Sequence, residues 1–103
     1  MSSTREDIAK VSSFIRNDFG LESTELVHCD VIQELKSQLS KIISYLIDND
    51  FQRLLNAMYR IDINEEKFKK ALATNPPTAV SEAIAQLIIE REMQKVQLRK
   101  KYS

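Results

Sequence analysis

An all-α fold, a bundle of four or five helices joined by short loops and closed by a long C-terminal helix, is what this sequence predicts. Three observations point there. The 103 residues contain one Gly and two Pro, too few for the tight turns of a β-protein, while the good helix formers Leu, Ile, Ala, Glu, Lys and Gln are plentiful. Apolar residues recur at helical spacing in segment after segment. The last quarter, Thr78 to Tyr102, has no breaker at all. A chain this long is near the commonest domain size and buries roughly two-thirds of its unfolded surface, so residues 1–103 are expected to form a single domain.

The first helix is expected to start at Ser3 or Thr4, either of which can cap it, with Glu6 and Asp7 in the favourable first turn. Ile8, Val11, Ile15 and Phe19 form its stripe, and Gly20 supplies a left-handed C-cap. In Leu21–Asp30, Ser23 or Thr24 can open another helix, but Leu26-Val27-His28-Cys29 has no clear period. From Val31 to Ile47 the pattern is clean: Val31, Ile32, Leu35, Leu39, Ile42, Ile43, Leu46 and Ile47 share one face. Continued straight, that helix would carry Phe51, Leu54, Leu55 and Met58 round to another side. A break at Asp48-Asn49-Asp50, with Asp50 as a new N-cap, returns both stripes to one core.

The next helix is predicted over Phe51–Arg60, with Phe51, Leu54, Leu55 and Met58 inward and Tyr59 as a further inward candidate. Ile61-Asp62-Ile63-Asn64 reads as a corner. Asp62 with Glu65 three residues on fits a capping box, and Asn64 is the rival cap. A short helix to about Ala73 should bury Phe68 and Leu72, and Thr74-Asn75-Pro76-Pro77 ends it, because a residue before proline is pushed out of the α region. Thr78 is then placed as the cap of the final helix.

That helix carries two apolar stripes. Val80, Ile84, Leu87, Ile88, Leu98 and Tyr102 fall in one sector; Ile89, Met93 and Val96 cluster opposite, with Ala85 beside them. A surface helix of a small monomer shows one stripe and one polar face. Two stripes mean a helix sandwiched within its own bundle or shared with another chain. The expectation is sharing: a homodimer through the C-terminal helix, with Ile89, Met93 and Val96 central and Arg91, Lys95 and Arg99 at the rim.

Charge is balanced in total and uneven along the chain. Residues 1–50 hold five Lys and Arg against nine Asp and Glu, a net −4; residues 51–103 hold ten against six, a net +4. In the last thirteen residues Arg91, Lys95, Arg99, Lys100 and Lys101 stand against Glu92 alone. Cations suit the last turns of a helix, and a basic tail can also meet the acidic half of a second subunit. The alternative is a small nucleic-acid-associated regulator using the ridge Arg91, Lys95, Arg99 for phosphate contact. A recognition helix is rarely so long or apolar on two faces, and zero net charge makes nucleic acid an unlikely partner.

The run Asp50-Phe51-Gln52-Arg53-Leu54-Leu55-Asn56-Ala57-Met58-Tyr59-Arg60-Ile61-Asp62-Ile63 resembles the central segment of a group of short, uncharacterised bacterial helical proteins. Ile84-Ala85-Gln86-Leu87-Ile88-Ile89-Glu90-Arg91-Glu92 is similar to their C-terminal helix. Together the two segments cover about a quarter of the chain. The resemblance implies an all-α fold and brings no activity and no functional residues.

Chemical motifs dissolve on inspection. His28-Cys29-Asp30 places three potential ligands in a row, where consecutive helical side chains diverge, and one Cys with one His cannot build a four-ligand zinc site. Cys29 lies beside Glu25 and Asp30, surroundings that do not activate a thiol. The acidic runs from Asp48 and from Asp62 brush against a calcium loop. At its sixth position stand Arg53 and Lys67 where Gly is needed, and at its twelfth Tyr59 and Ala73 where Glu is needed. Asp18-Phe19-Gly20 reads as chance plus a C-cap, since no Gly-rich loop accompanies it. Carboxylates such as Glu65 and Glu66 offer conceivable acid–base groups. Catalysis, however, needs a concave pocket with converging carboxylates and at least one strongly shifted pKa. The expectation is a non-enzymatic interaction or structural module with no catalytic residues, no cofactor and no metal. A single cysteine, an N-terminus without a signal-peptide pattern and the lack of any long apolar run point to a cytoplasmic protein without a membrane span.

Overall fold

The computed structural model describes residues 5–21 and 31–102, with only the backbone of residue 102. Within them the order is α1 (Arg5–Phe19), α2 (Ile32–Asn49), α3 (Phe51–Ile61), α4 (Glu65–Leu72), a single 3-10 turn (Pro77–Ala79) and α5 (Val80–Tyr102). The expected all-α bundle with its long last helix is the fold observed. The proposed caps at Ser3 and Thr4, the Ser23/Thr24 helix start and the His28-Cys29-Asp30 cluster lie outside the described residues. No helix among the described residues is long and apolar enough to cross a membrane.

Local sequence explains each boundary. Gly20 takes φ +65° after α1, and Leu21 N–H reaches back to the Arg16 carbonyl at 2.8 Å, closing the helix end. Asp50 serves two helices at once: its N–H bonds the Leu46 carbonyl at 2.8 Å, and its carboxylate accepts from Arg53 N–H at 3.2 Å. The break foreseen between α2 and α3 is therefore real.

At the next corner the rival cap prevails over the capping box. Asn64 accepts from Lys67 N–H at 3.0 Å and opens α4, while Asp62 sits in the left-handed region at φ 65° and ends α3. Ile63 N–H bonds the Met58 carbonyl at 3.1 Å across it. A residue already committed to closing one helix cannot also cap the next, and Asp tolerates the left-handed region better than most. The start of α5 also differs from expectation. Thr78 falls inside the 3-10 turn, and the α-helix begins at Val80.

The core sits around α5, which packs against α1, α2, α3 and α4. The stripe of α1 is buried as expected, as are Leu35, Leu39, Ile43 and Leu46 of α2 and Leu54 and Met58 of α3; Ile61, read from the sequence as part of the corner, is buried with them. Other apolar residues assigned inward lie outward instead. Tyr59 is 78% exposed, and Phe51, Leu72, Leu98 and Val31 are also exposed. For Phe51, Tyr59 and Leu72 the reason is architectural. Within the described residues α3 packs on α1, α2 and α5, and α4 on α5, but α3 and α4 do not pack on each other. The outer edges of both helices therefore stay open.

Arg53 ties α3 to the end of α1. Its Nε donates to the Phe19 carbonyl at 3.0 Å and its Nη2 to the Gly20 carbonyl at 2.9 Å, satisfying acceptors that a helix C-terminus leaves free. Arg53→Ala is expected to lower stability by about 1–3 kcal/mol, the range for losing charge-assisted hydrogen bonds. Chemical denaturation with hydrogen exchange on the last turn of α1 checks it. Unchanged stability with unchanged protection there would show that the contact adds nothing.

Candidate functional site

The residues expected at a subunit interface are used inside the monomer. Ile89 is 3% and Val96 1% exposed, and Met93 is half-buried against the same core. The second stripe is covered by the chain's own helices, so the first of the two explanations for it, sandwiching within the bundle, applies. The outward side of α5 is mostly polar, with Glu82, Glu90, Gln94 and Lys101 exposed beside Leu98. A partner approaching α5 would meet these groups and not Ile89 or Val96.

The basic ridge is likewise engaged. Arg91 reaches the Ile61 carbonyl at 3.4 Å and Asp62 at 3.5 Å, bracing the corner between α3 and α4. Lys95 pairs with Glu92 at 3.1 Å. Arg99 lies 4.6 Å from the centroid of the Phe14 ring, a cation–π contact to α1. These three cations form three separate attachments, and no observation favours a phosphate-binding ridge.

What sequence reasoning missed is Glu92. Its side chain is fully buried, at 0% exposure. At 100° per residue it falls between Ile88 on one stripe and Val96 on the other, so the two stripes merge through it into one interior face about 140° wide. A charged residue at the centre of a broad apolar arc is itself a signal. Taken only as the lone acid in a basic tail, Glu92 loses that signal.

Glu92 forms the inner wall of a cleft of about 250 Å³ between α1 and α5, lined also by Phe14, Asn17, Asp18, Lys95 and Arg99. Apart from the ion pair with Lys95, neither oxygen of Glu92 has a hydrogen-bond partner among the described groups. Burial pushes its pKa up from 4.5 to about 7; Lys95 pulls it down, and the Asp18 carboxylate adds to the rise. α1 runs antiparallel to α5 here. At the far end of the seam Asp7, also buried, receives Lys100 and Gln97. Asp7 and Asp18 thus contact opposite ends of the same stretch of α5. No group of three or more metal-ligating side chains converges among the described residues.

A second concavity, about 260 Å³, lies between α3 and α4 and is mostly apolar: Phe51, Leu55, Met58, Tyr59, Ile63, Phe68 and Leu72, with Glu65 and Lys69 at its edge.

Comparisons with protein families, curated proteins and solved structures return no match. The chemistry of both concavities therefore rests on their own geometry.

Two outcomes are expected. Ile89→Ala should lower stability by about 2–5 kcal/mol, the cost of emptying a core site, and by the same amount at low and high protein concentration. A loss that depends on concentration would return the stripe to a subunit interface. The second concerns pH. In the unfolded chain Glu92 titrates near 4.5 and in the folded one near 7, so between those values only the folded state keeps the proton. Its contribution is full below 4.5 and lost as pH rises through 7, a decline on the order of 3 kcal/mol. Glu92→Gln should remove that slope from stability measured between about pH 5 and pH 8. Parallel curves for the two proteins would show that Glu92 titrates normally.

Proposed function

We propose that this chain is a non-enzymatic helical interaction module that pairs with a second copy of itself through the open α3–α4 face. The observation that carries the reading is the apolar groove between these helices, with Tyr59 and Phe51 at its lip and Phe68 and Leu55 deeper in it. A contiguous apolar surface of this kind marks an interaction site more often than a random scatter of side chains does. The expectation of self-association is retained, and the surface is moved from α5 to α3–α4.

Charge at the rim favours a second copy over an unrelated partner. Glu65 and Lys69 stand one turn apart on α4, both lining the groove. A two-fold axis crossing α4 sets it antiparallel to its mate, which brings Glu65 of each copy opposite Lys69 of the other. The competing Glu66–Lys69 contact within the chain is exposed and 3.9 Å long, so giving it up costs little.

Light scattering is expected to give twice the chain's mass. Tyr59→Glu, at a side chain already in solvent, should return the monomer without unfolding it. Lys69→Glu sets acids against acids and should weaken pairing roughly tenfold; the exchange Glu65→Lys with Lys69→Glu should restore it. A single-chain mass at every attainable concentration, or a charge exchange that fails to rescue, would overturn the proposal.

A further inference from the structure

The seam between α1 and α5 holds a group that neither the fold nor the pairing surface accounts for. Glu92 is the one fully buried carboxyl on α5 among the described residues, and its carboxyl lines a cleft that opens toward the last turn of α1. Asp18 lies on that last turn and lines the same cleft. Two carboxyl groups brought together at low dielectric cannot both ionise cheaply; a shared proton removes the repulsion and gives each a partner.

We propose that Glu92 and Asp18 form one proton-binding clamp that holds the C-terminal turn of α1 against α5 when protonated and loosens it when the proton leaves. The groups facing Glu92 are few. From α1 comes Asp18; from α5 itself come Lys95 at 3.1 Å and, further along the cleft, Arg99. The described parts of α2, α3 and α4 add no charged group that acts on it. Lys95 is 28% exposed, so its ammonium is partly offset by water and balances one carboxylate, not two.

With the proton bound, the pair and Lys95 sum to zero charge; without it, the three sum to one uncompensated negative charge at a buried position. The movable partner is the last turn of α1, because Glu92 sits in the helix on which the other described helices pack. The raised pKa of Glu92, to about 7, places the change near neutrality. At the other end of the seam, Asp7 with Lys100 and Gln97 makes an attachment that does not share this proton. Loosening is therefore confined to one end of α1.

The test is a carboxyl-carbon NMR titration of the intact protein, with amide protection factors for α1 on either side of neutrality. The Glu92 resonance should report one proton leaving near neutral pH. Protection in the turn ending at Phe19 should fall about tenfold above that midpoint, while the turn at Asp7 stays unchanged. Asp18→Asn should move the Glu92 midpoint down toward the ordinary carboxylate range, an effect that a purely structural Asp18 would not produce. Glu92→Gln should hold the last turn protected at every pH. A Glu92 midpoint unmoved by Asp18→Asn, or a last turn equally protected on both sides of the midpoint in the parent protein, would overturn the clamp. The parent titration alone decides the matter should either variant fail to fold.

Discussion

A helix on which four others pack must be apolar over more of its circumference than a surface helix is. α5 meets α1, α2, α3 and α4, and its buried positions, from Ile84 through Ile88 and Glu92 to Val96 and Ile89, sweep an arc of about 140°. The other helices can then each be narrowly amphipathic, since each needs only to cover its share of that arc. The two-stripe pattern is the sequence signature of this arrangement. The residue between the two stripes is enclosed.

Enclosure of that residue is where the arrangement is most costly. Any side chain at position 92 is buried, and this one is a carboxyl. A buried ion pair adds little net stability, because desolvation consumes most of its Coulomb energy. Glu92 with Lys95 is no exception. What the polar groups along the α1–α5 seam do supply is register. Asp7 can meet Lys100 and Gln97, Arg99 can stack on Phe14 and Asp18 can face Glu92 only when α1 lies antiparallel in one axial position. Apolar residues alone would tolerate a slip along the helix; this series of contacts does not.

The helices were legible in the sequence because their periods are local properties. The stripe Ile8, Val11, Ile15, Phe19, the break at Asp50 and the left-handed Gly20 depend on residues within a few positions of one another. What covers a stripe is not local. Periodicity groups Ile89 and Val96 on one stripe, but it gives the same answer whether the covering surface is the chain's own helices or a second molecule. The choice between Asp62 and Asn64 as cap failed for a related reason: both have the right side chain, and only the path of α3 shows which is already in use. Tyr59 falls outside the core because a helical stripe has a margin, and what lies beyond that margin is set by the separation of α3 from α4. The candidate site was the least legible part. Asp18 and Glu92 are distant in sequence, and each has an innocent local explanation, one near a C-cap and the other within a basic tail.

The same geometry that encloses the second stripe of α5 leaves α3 and α4 apart. α4 has eight residues and lies against α5, so after the Asp62 corner it follows the central helix and diverges from α3. The apolar edges of both helices are then separated by a groove that no described helix fills. Had α4 packed on α3, Phe51, Tyr59 and Leu72 would be interior residues, and α5 would have lost a neighbour and exposed part of its own arc. The fold cannot satisfy both surfaces with two turns of helix. Covering α5 removes the patch that first suggested a partner and opens another between α3 and α4. The apolar surface that calls for a partner is therefore a consequence of how the core is closed, and it lies on the two helices whose sequence alone suggested a finished interior.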